Sequence, residues 1–188
     1  MTHPAIRHAI AAAALAALAL SGFAAGPPPK AQAESEVKAV FLVNFLRYLE
    51  WPEENGLPFC PIVVLGDSPI FEPLREISEK NKPGMIPIQV RRCADLDDAG
   101  FPRILFLSPS SASLLPKVLD KFRGKDTLIV GETEGLAARG AAINFVLREE
   151  TVKFEVSVKA LKAAGIQAGS QLLRLAILVD GGEKTPGP

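Results

Sequence analysis

The chain offers few residues with the types and spacing that nucleophilic catalysis needs. Its two histidines, His3 and His8, both stand near the start. Ser35 and Lys38 have S-x-x-K spacing, but the companion motifs of that enzyme class are missing. The serine-rich run 108–113 contains no G-x-S-x-G elbow, and helix capping explains its hydroxyls better. Enzymatic activity is therefore disfavoured.

The sequence also lacks the common motifs for binding nucleotides and metal ions. Gly66-Asp67-Ser68 follows an apolar run, where a nucleotide-binding loop would lie, but the sequence contains neither G-x-G-x-x-G nor G-x-x-x-x-G-K-[ST]. Residues 95–106 faintly resemble a calcium loop, yet the fifth position is Ala99 and the twelfth is Phe106. We expect no cofactor and no bound metal.

The first 33 residues have the pattern of a secretory signal peptide. They contain no Asp or Glu, and a weakly basic start precedes an apolar run at 9–20 and small residues at 21–25. The apolar run is shorter than the ~20 residues that a membrane-spanning helix needs. Cleavage is expected between residues 24 and 33, and an uncleaved anchor is the alternative. Cleavage removes both histidines, so the mature chain cannot use a Ser-His-Asp or Cys-His mechanism.

The rest of the chain has the size and charge of one exported domain. The full sequence has 188 residues with equal numbers of basic and acidic groups, and removal of Arg7 and Lys30 with the leader makes it slightly acidic. Binding to phosphates needs an excess or a dense stripe of Lys and Arg, so nucleic acid is not an expected partner. No later apolar run reaches membrane-spanning length. We expect a periplasmic protein with no membrane span in its mature part.

Apolar runs that alternate with helical patterns predict the fold. Residues 34–50 carry apolar side chains at three- and four-residue steps, with Ser35 as N-cap and Trp51-Pro52 as the stop. Continuous β-branched runs predict buried strands at 61–66, 86–90, 104–107 and 127–131, followed by helices or turns at 69–80, 95–99, 111–122 and 132–138. Alternating residues at 142–148 and 151–158 predict an antiparallel hairpin, and a last helix spans 170–179. The prediction is α/β: a single three-layer domain over 34–180, with a mainly parallel sheet flanked by helices, a C-terminal antiparallel hairpin and a disordered tail at 181–188.

The two cysteines, Cys60 and Cys93, can form a disulfide only if the strands bring them together. Cys60 begins the first predicted strand, whereas Cys93 follows the second. If these strands are parallel neighbours, the cysteines lie a strand length apart, beyond the ~7 Å limit between the Cα atoms of a bridge. We expect no intramolecular bridge. A long irregular loop around Cys93 is the alternative that would allow one.

Four polar residues stand in apolar surroundings: Asn44, Asn144, Gln171 and Arg174. Buried polar groups must find hydrogen-bond partners. These residues therefore belong either to a structural hydrogen-bond network or to a pocket for a ligand or partner, and both interpretations stay open.

Four blocks of the sequence resemble the YfiR family of periplasmic regulators. Residues 37–52, VKAVFLVNFLRYLEWP, resemble its opening VKAAFLYNFAKFVEWP, and residues 62–67 resemble its CVLGD strand. Residues 142–146 and 152–156 are similar to its MINFV and VRFEIN hairpin, and residues 165–176 are similar to its closing AGLKISSQLLRLA. The blocks occur in the family's order and span nearly all of the mature chain.

This resemblance implies a non-enzymatic protein that binds and represses the periplasmic domain of a YfiN-type membrane diguanylate cyclase, which keeps cyclic di-GMP synthesis and biofilm formation low. It also implies a homodimer and redox-linked disulfides. The family's cysteines commonly fall near Ile62 or Val63 and near Pro102, however, so Cys60 and Cys93 are shifted and a bridge of the family type is in doubt.

Two hypotheses for the site follow. A helix that is apolar on both sides and ends in aromatic residues suits an interface, so partner contacts are expected among Phe41, Phe45, Tyr48 and Trp51, with core packing as the alternative for the two phenylalanines. The competing hypothesis is a small-ligand sensor or solute-binding module that feeds a histidine kinase or another membrane output. Its pocket would lie near Asn144, Phe154, Glu155, Gln171 and Arg174, where Arg174 would clamp a carboxylate.

Overall fold

The computed structural model describes residues 29–52, 58–80, 87–180 and 183–185. Its strands are β1 Leu49–Glu50, β2 Cys60–Leu65, β3 Ile88–Cys93, β4 Ile104–Leu107, β5 Leu128–Gly131, β6 Ile143–Arg148, β7 Thr151–Val156, β8 Gln167–Ala168, β9 Ile177–Asp180 and β10 Glu183–Thr185. Its helices are α1 Pro29–Tyr48, α2 Phe71–Glu79, α3 Leu115–Lys121, α4 Val158–Ala163 and α5 Ser170–Leu175, with 3₁₀ segments at Asp97–Ala99 and Pro109–Leu114.

Eight of these strands form one sheet in the order β10-β9-β7-β6-β5-β4-β2-β3. The strands from β3 to β6 pair in parallel, because each continuous apolar run is joined to the next by a crossover connection. β6 and β7 form the antiparallel hairpin, in which Phe145 lies opposite Phe154. β9 then pairs in parallel with β7, and β1 pairs with β8 in a separate small sheet.

Strand side chains alternate between the two faces of the sheet and so create two cores. Ile62 and Val64 of β2 pack into one cluster, to which α1, α2, α4 and α5 contribute. Val63 and Leu65 pack into the other cluster, which α3 and the 3₁₀ segments cover. The sheet therefore lies between two helical layers, and the predicted α/β three-layer fold is confirmed.

The first helix begins earlier than the sequence pattern predicts. α1 starts at Pro29, and Ser35 lies inside it, where its Oγ donates to the carbonyl of Ala31 at 2.8 Å instead of capping the N-terminus. Pro29 is suited to a first turn because its missing N–H would have no partner there. Residues 1–28 of the predicted leader lie outside the described residues, whereas its residues 29–33 belong to α1.

Three further predictions fail for local reasons. Residues 132–138 form turns instead of a helix, with Gly135 at φ 78°. The last helix stops at Leu175 because Ala176 takes an extended backbone, and the β-branched residues that follow join the sheet as β9. α4 was not predicted, although Ser157 caps it by accepting a hydrogen bond from the amide of Ala160 at 3.2 Å.

β3 and the C-terminal tail also differ from their predicted boundaries. β3 runs from Ile88 to Cys93 instead of ending at Val90, so Cys93 is part of the strand. In the predicted tail, Glu183–Thr185 pair with β9 as β10, while residues 181–182 and 186–188 lie outside the described part of the chain.

Candidate partner interface

The inner face of α1 is fixed on the sheet by aromatic packing. Ala39, Leu42 and Phe45 are almost fully buried. The Phe45 ring lies 5.9 Å from that of Phe145 and 5.2 Å from that of Phe154. Because Phe45 is 1% exposed, its role in the folded protein is core packing.

Phe41 lies at the border of this inner face. It is half-buried, and its ring lies 5.5 Å from that of Phe154 and 6.4 Å from that of Phe145. Of the two phenylalanines in the contact hypothesis, only Phe41 retains accessible surface beside the outward side of the helix.

The outward side of α1 carries an unusual line of exposed apolar residues. Val37, Val40 and Tyr48 are 44%, 52% and 41% exposed, and the half-buried Asn44 lies between them. The steps of three and four residues place these four side chains on one side of the helix. We call Val37, Val40, Asn44 and Tyr48 the outer stripe. Beside it, α5 packs against α1 and presents Leu175 at 68% exposure.

The C-terminal end of α1 is held by Trp51. The indole Nε1 donates to the carbonyl of Asp126 at 2.9 Å, and the guanidinium of Arg103 lies 5.3 Å from the ring centre. Arg103 also pairs with the Asp126 carboxylate at 2.8 Å. Trp51 thus holds the end of α1 against the segment just before β5.

The middle of α1 is held by an ion pair that is partly removed from water. Lys38 Nζ lies 2.8 Å from Glu132 Oε2, with side chains 16% and 9% exposed. Ser68 Oγ donates to the other oxygen of Glu132 at 3.0 Å. The two attachment points keep the outer stripe on a fixed element instead of a mobile loop.

The five residues of the predicted ligand pocket do not form one cluster. Asn144 and Glu155 are buried at 0% and 2% exposure, and Asn144 Nδ2 donates to Glu155 Oε2 at 3.2 Å. Phe154 faces α1 on the opposite side of the sheet, because neighbouring residues of a strand point to opposite faces. Gln171 and Arg174 are exposed on α5.

The buried polar pair instead has a structural setting. Arg148 lies 3.9 Å from Glu155, so the cation near this carboxylate comes from β6 and not from Arg174. Asn144 Oδ1 has no hydrogen-bond partner among the described residues. Asn144 therefore fits the interpretation of a structural hydrogen-bond network, whereas Gln171 and Arg174 are exposed and are not part of a buried network.

Comparison with known families identifies the chain. Residues 35–177 match the YfiR/HmsC-like family. The chain belongs to that family. No match to a curated protein was found. The match includes the whole outer stripe, and at the family level it supports a periplasmic regulator of a diguanylate cyclase, from a family that regulates without catalysing.

No helix in the described part of this YfiR/HmsC-like chain is both long and apolar enough to cross a membrane.

The two cysteines of this YfiR/HmsC-like chain are free. In the parallel register Cys60 lies opposite Ile88 and Cys93 lies opposite Leu65, so they stand at opposite ends of neighbouring strands. Five residues of strand separate them by roughly 16 Å, which confirms that they cannot bridge in this fold. Burial raises the pKa of the Cys60 thiol to about 11 against the opposing effect of Arg103, and burial also raises the pKa of Cys93. Both thiols are therefore poorly reactive at neutral pH.

The usual ligand crevice of such a sheet is filled in this YfiR/HmsC-like fold. β3 and β4 lie on opposite sides of β2, and open α/β sheets commonly bind ligands beyond the carboxyl ends of strands at such a switch point. Gly66 follows β2 at φ 83°, and a Cβ added to it would collide with the hydroxyls of Ser108 and Ser111 after β4. Ser108 Oγ in turn donates to Ser111 Oγ at 3.2 Å.

Proposed function

We propose that the protein is a periplasmic repressor that binds the periplasmic sensor domain of a membrane diguanylate cyclase through the outer stripe of α1. Binding would keep cyclic di-GMP synthesis, and with it biofilm formation, low. Family membership supports the class of function. The observation that carries the choice of surface is the exposure of Val37, Val40 and Tyr48 on a helix whose other side is firmly packed.

The physical case for this surface rests on area and rigidity. A few side chains near the centre of an interface supply most of its binding free energy, and Tyr is enriched among them. α1 is held at Lys38 and at Trp51, so binding would order few additional side chains. Repression then requires only that the protein bind the inactive conformation of the cyclase more tightly than the active one.

Export through the N-terminal leader completes the proposal, and the start of α1 favours one cleavage position. Cleavage after Ala24 or Ala25 leaves the helix whole, whereas cleavage after Ala33 removes residues 29–33 from it. Those residues include Lys30, which pairs with Glu150 of the hairpin at 2.6 Å. We expect the mature protein to begin near residue 25 or 26, which N-terminal sequencing of periplasmic protein would test.

The surface is tested by charge introduction. Val40→Asp and Tyr48→Asp each place a carboxylate in the outer stripe, and we expect each to weaken binding to the purified periplasmic domain of a membrane diguanylate cyclase from the same organism by at least about tenfold. Both positions are exposed, so circular dichroism should show an unchanged fold. Phe101→Asp is the matched control, because Phe101 is an apolar residue that is 78% exposed and lies in the segment before β4, outside α1.

Biolayer interferometry with the immobilised cyclase domain measures these affinities. Unchanged affinity in both α1 variants, or an equal loss in Phe101→Asp, would remove the outer stripe as the contact surface.

A second copy of the chain is the competing occupant of the outer stripe. The family resemblance implies a homodimer, and a two-fold interface places the same patch of both copies in contact. Light scattering on the same variants separates the two cases. If Val40→Asp converts a dimer to a monomer and leaves cyclase binding unchanged, the stripe is the dimer interface and the partner binds elsewhere.

A further inference from the structure

A half-open groove lies at the amino-terminal edge of β5 and β6, at the opposite edge of the sheet from the filled switch-point crevice. Its volume is about 430 Å³, within the usual range for small-molecule sites, roughly 300–1,000 Å³. The end of α3, the turn at 137–140 and α4 form its walls. The residues that matter for its chemistry are Phe122, Ile129, Ala142, Arg123, Arg139 and Lys159.

The floor of this groove is apolar. Ile129 lies on β5, Ala142 is the residue before β6, and Phe122 directly follows α3. Each is largely buried by the surrounding protein, with 6%, 3% and 4% exposure. A ligand with a hydrocarbon part would cover what remains of this surface, and the burial of apolar area favours binding.

The rim of the groove is positively charged. Arg123, Arg139 and Lys159 line it, and no Asp or Glu is among the described residues that do so. The asymmetry is local, because the chain as a whole has equal numbers of acidic and basic residues. Arg123 pairs with Asp120 at 3.3 Å, whereas Arg139 and Lys159 form no salt bridge within the described part of the chain.

We propose that this groove binds a small amphipathic anion, with a carboxylate or phosphate between Arg139 and Lys159 and a hydrocarbon part on the floor of Ile129 and Ala142. An arginine and a lysine both donate charge-assisted hydrogen bonds to such groups. α1 contributes no residue to the groove, so the site is independent of the outer stripe and of the proposed repression.

The test compares three probes that contain the charged group, the hydrocarbon chain or both. Isothermal titration with octanoate, octanol and acetate measures the need for charge and for hydrocarbon. We expect octanoate to bind, and octanol and acetate to bind at least about tenfold more weakly, because each lacks one of the two interactions. Equal binding of octanoate and octanol, or no octanoate binding at all, would overturn the proposal.

Variants locate the site. Arg139→Gln and Lys159→Gln are surface changes, and each should weaken octanoate binding by about tenfold. Lys117→Gln on α3 is the matched control, since Lys117 is exposed and is not part of the groove. Octanoate should also shift the NMR signals of Ala142 and Ala160. Unchanged affinity in both variants, the same loss in the control, or shifts confined to the outer stripe would refute the site.

Discussion

The ion pair that holds α1 allows a quantitative prediction. Lys38→Met keeps the length of the side chain but leaves Glu132 with only the hydrogen bond from Ser68. Removal of one partner from a fully buried pair costs about 3–5 kcal/mol, and exposed pairs contribute about 0–1 kcal/mol. With side chains 16% and 9% exposed, this pair lies closer to the buried case. We expect Lys38→Met to lower the free energy of unfolding by about 2–3 kcal/mol.

Urea unfolding followed by fluorescence measures this loss, and Trp51 is the only tryptophan of the chain. At about 2–4 °C per kcal/mol for a domain of this size, the melting temperature should fall by roughly 4–12 °C. Adding Glu132→Gln to Lys38→Met should recover much of the loss, because the uncompensated carboxylate is then gone.

Lys30→Met is the matched control for this prediction. Lys30 also lies on α1 and pairs with Glu150 at 2.6 Å, but these side chains are 61% and 80% exposed. We expect a change below about 1 kcal/mol for this variant. If Lys38→Met costs no more than Lys30→Met, burial does not govern the strength of these pairs, and the argument that Lys38 fixes α1 is wrong.

Three further predictions test local features. Glu150→Gly should raise stability by about 1 kcal/mol in thermal unfolding, because Glu150 sits at φ 61° in the hairpin turn and its exposed ion pair contributes little. Gly66→Ala should lower the free energy of unfolding by about 2–4 kcal/mol, since φ is 83° and the added Cβ would collide with Ser108. In a Cys93→Ser background, Cys60 should react with Ellman's reagent at pH 8 about tenfold to hundredfold more slowly than a free thiol, because its pKa is raised to about 11.

The raised pKa of Cys60 determines how the stability of the protein changes with pH on the alkaline side. The Cys60 thiol loses its proton at lower pH in the unfolded chain than in the folded protein. The stability that this difference contributes is fully present below the ordinary thiol pKa and is lost as pH rises toward about 11. Cys60→Ala should therefore flatten the decline of stability on the alkaline side in urea titrations.

The parallel core and the hairpin were predictable because their signals are local. Buried parallel strands require continuous apolar runs, and the half-exposed hairpin requires alternation around a tight turn. β4 and β6 accordingly lie within a residue of their predicted positions. The termini of α1 and α5 were not predictable in this way, because a run such as Leu175–Val179 suits a helix or a strand until its pairing with β7 decides.

The division of α1 into an inner and an outer face could not be predicted from the sequence either. Val40, Phe41 and Phe45 are all apolar, and only the position of β6 and β7 determines that Phe45 is buried while Val40 remains exposed. The pair between Lys38 and Glu132 joins residues 94 positions apart and leaves no pattern in the sequence. The basic groove likewise assembles from three separate segments.

The central claim is repression of a membrane diguanylate cyclase through the outer stripe. The most direct measurement is the rate of cyclic di-GMP synthesis by the full-length cyclase in nanodiscs, with this protein added to the face that carries the periplasmic domain. The account predicts that the wild-type protein and Phe101→Asp lower the rate, whereas Val40→Asp and Tyr48→Asp leave it near the uninhibited value. A rate that the wild-type protein does not change at saturating concentration would contradict it.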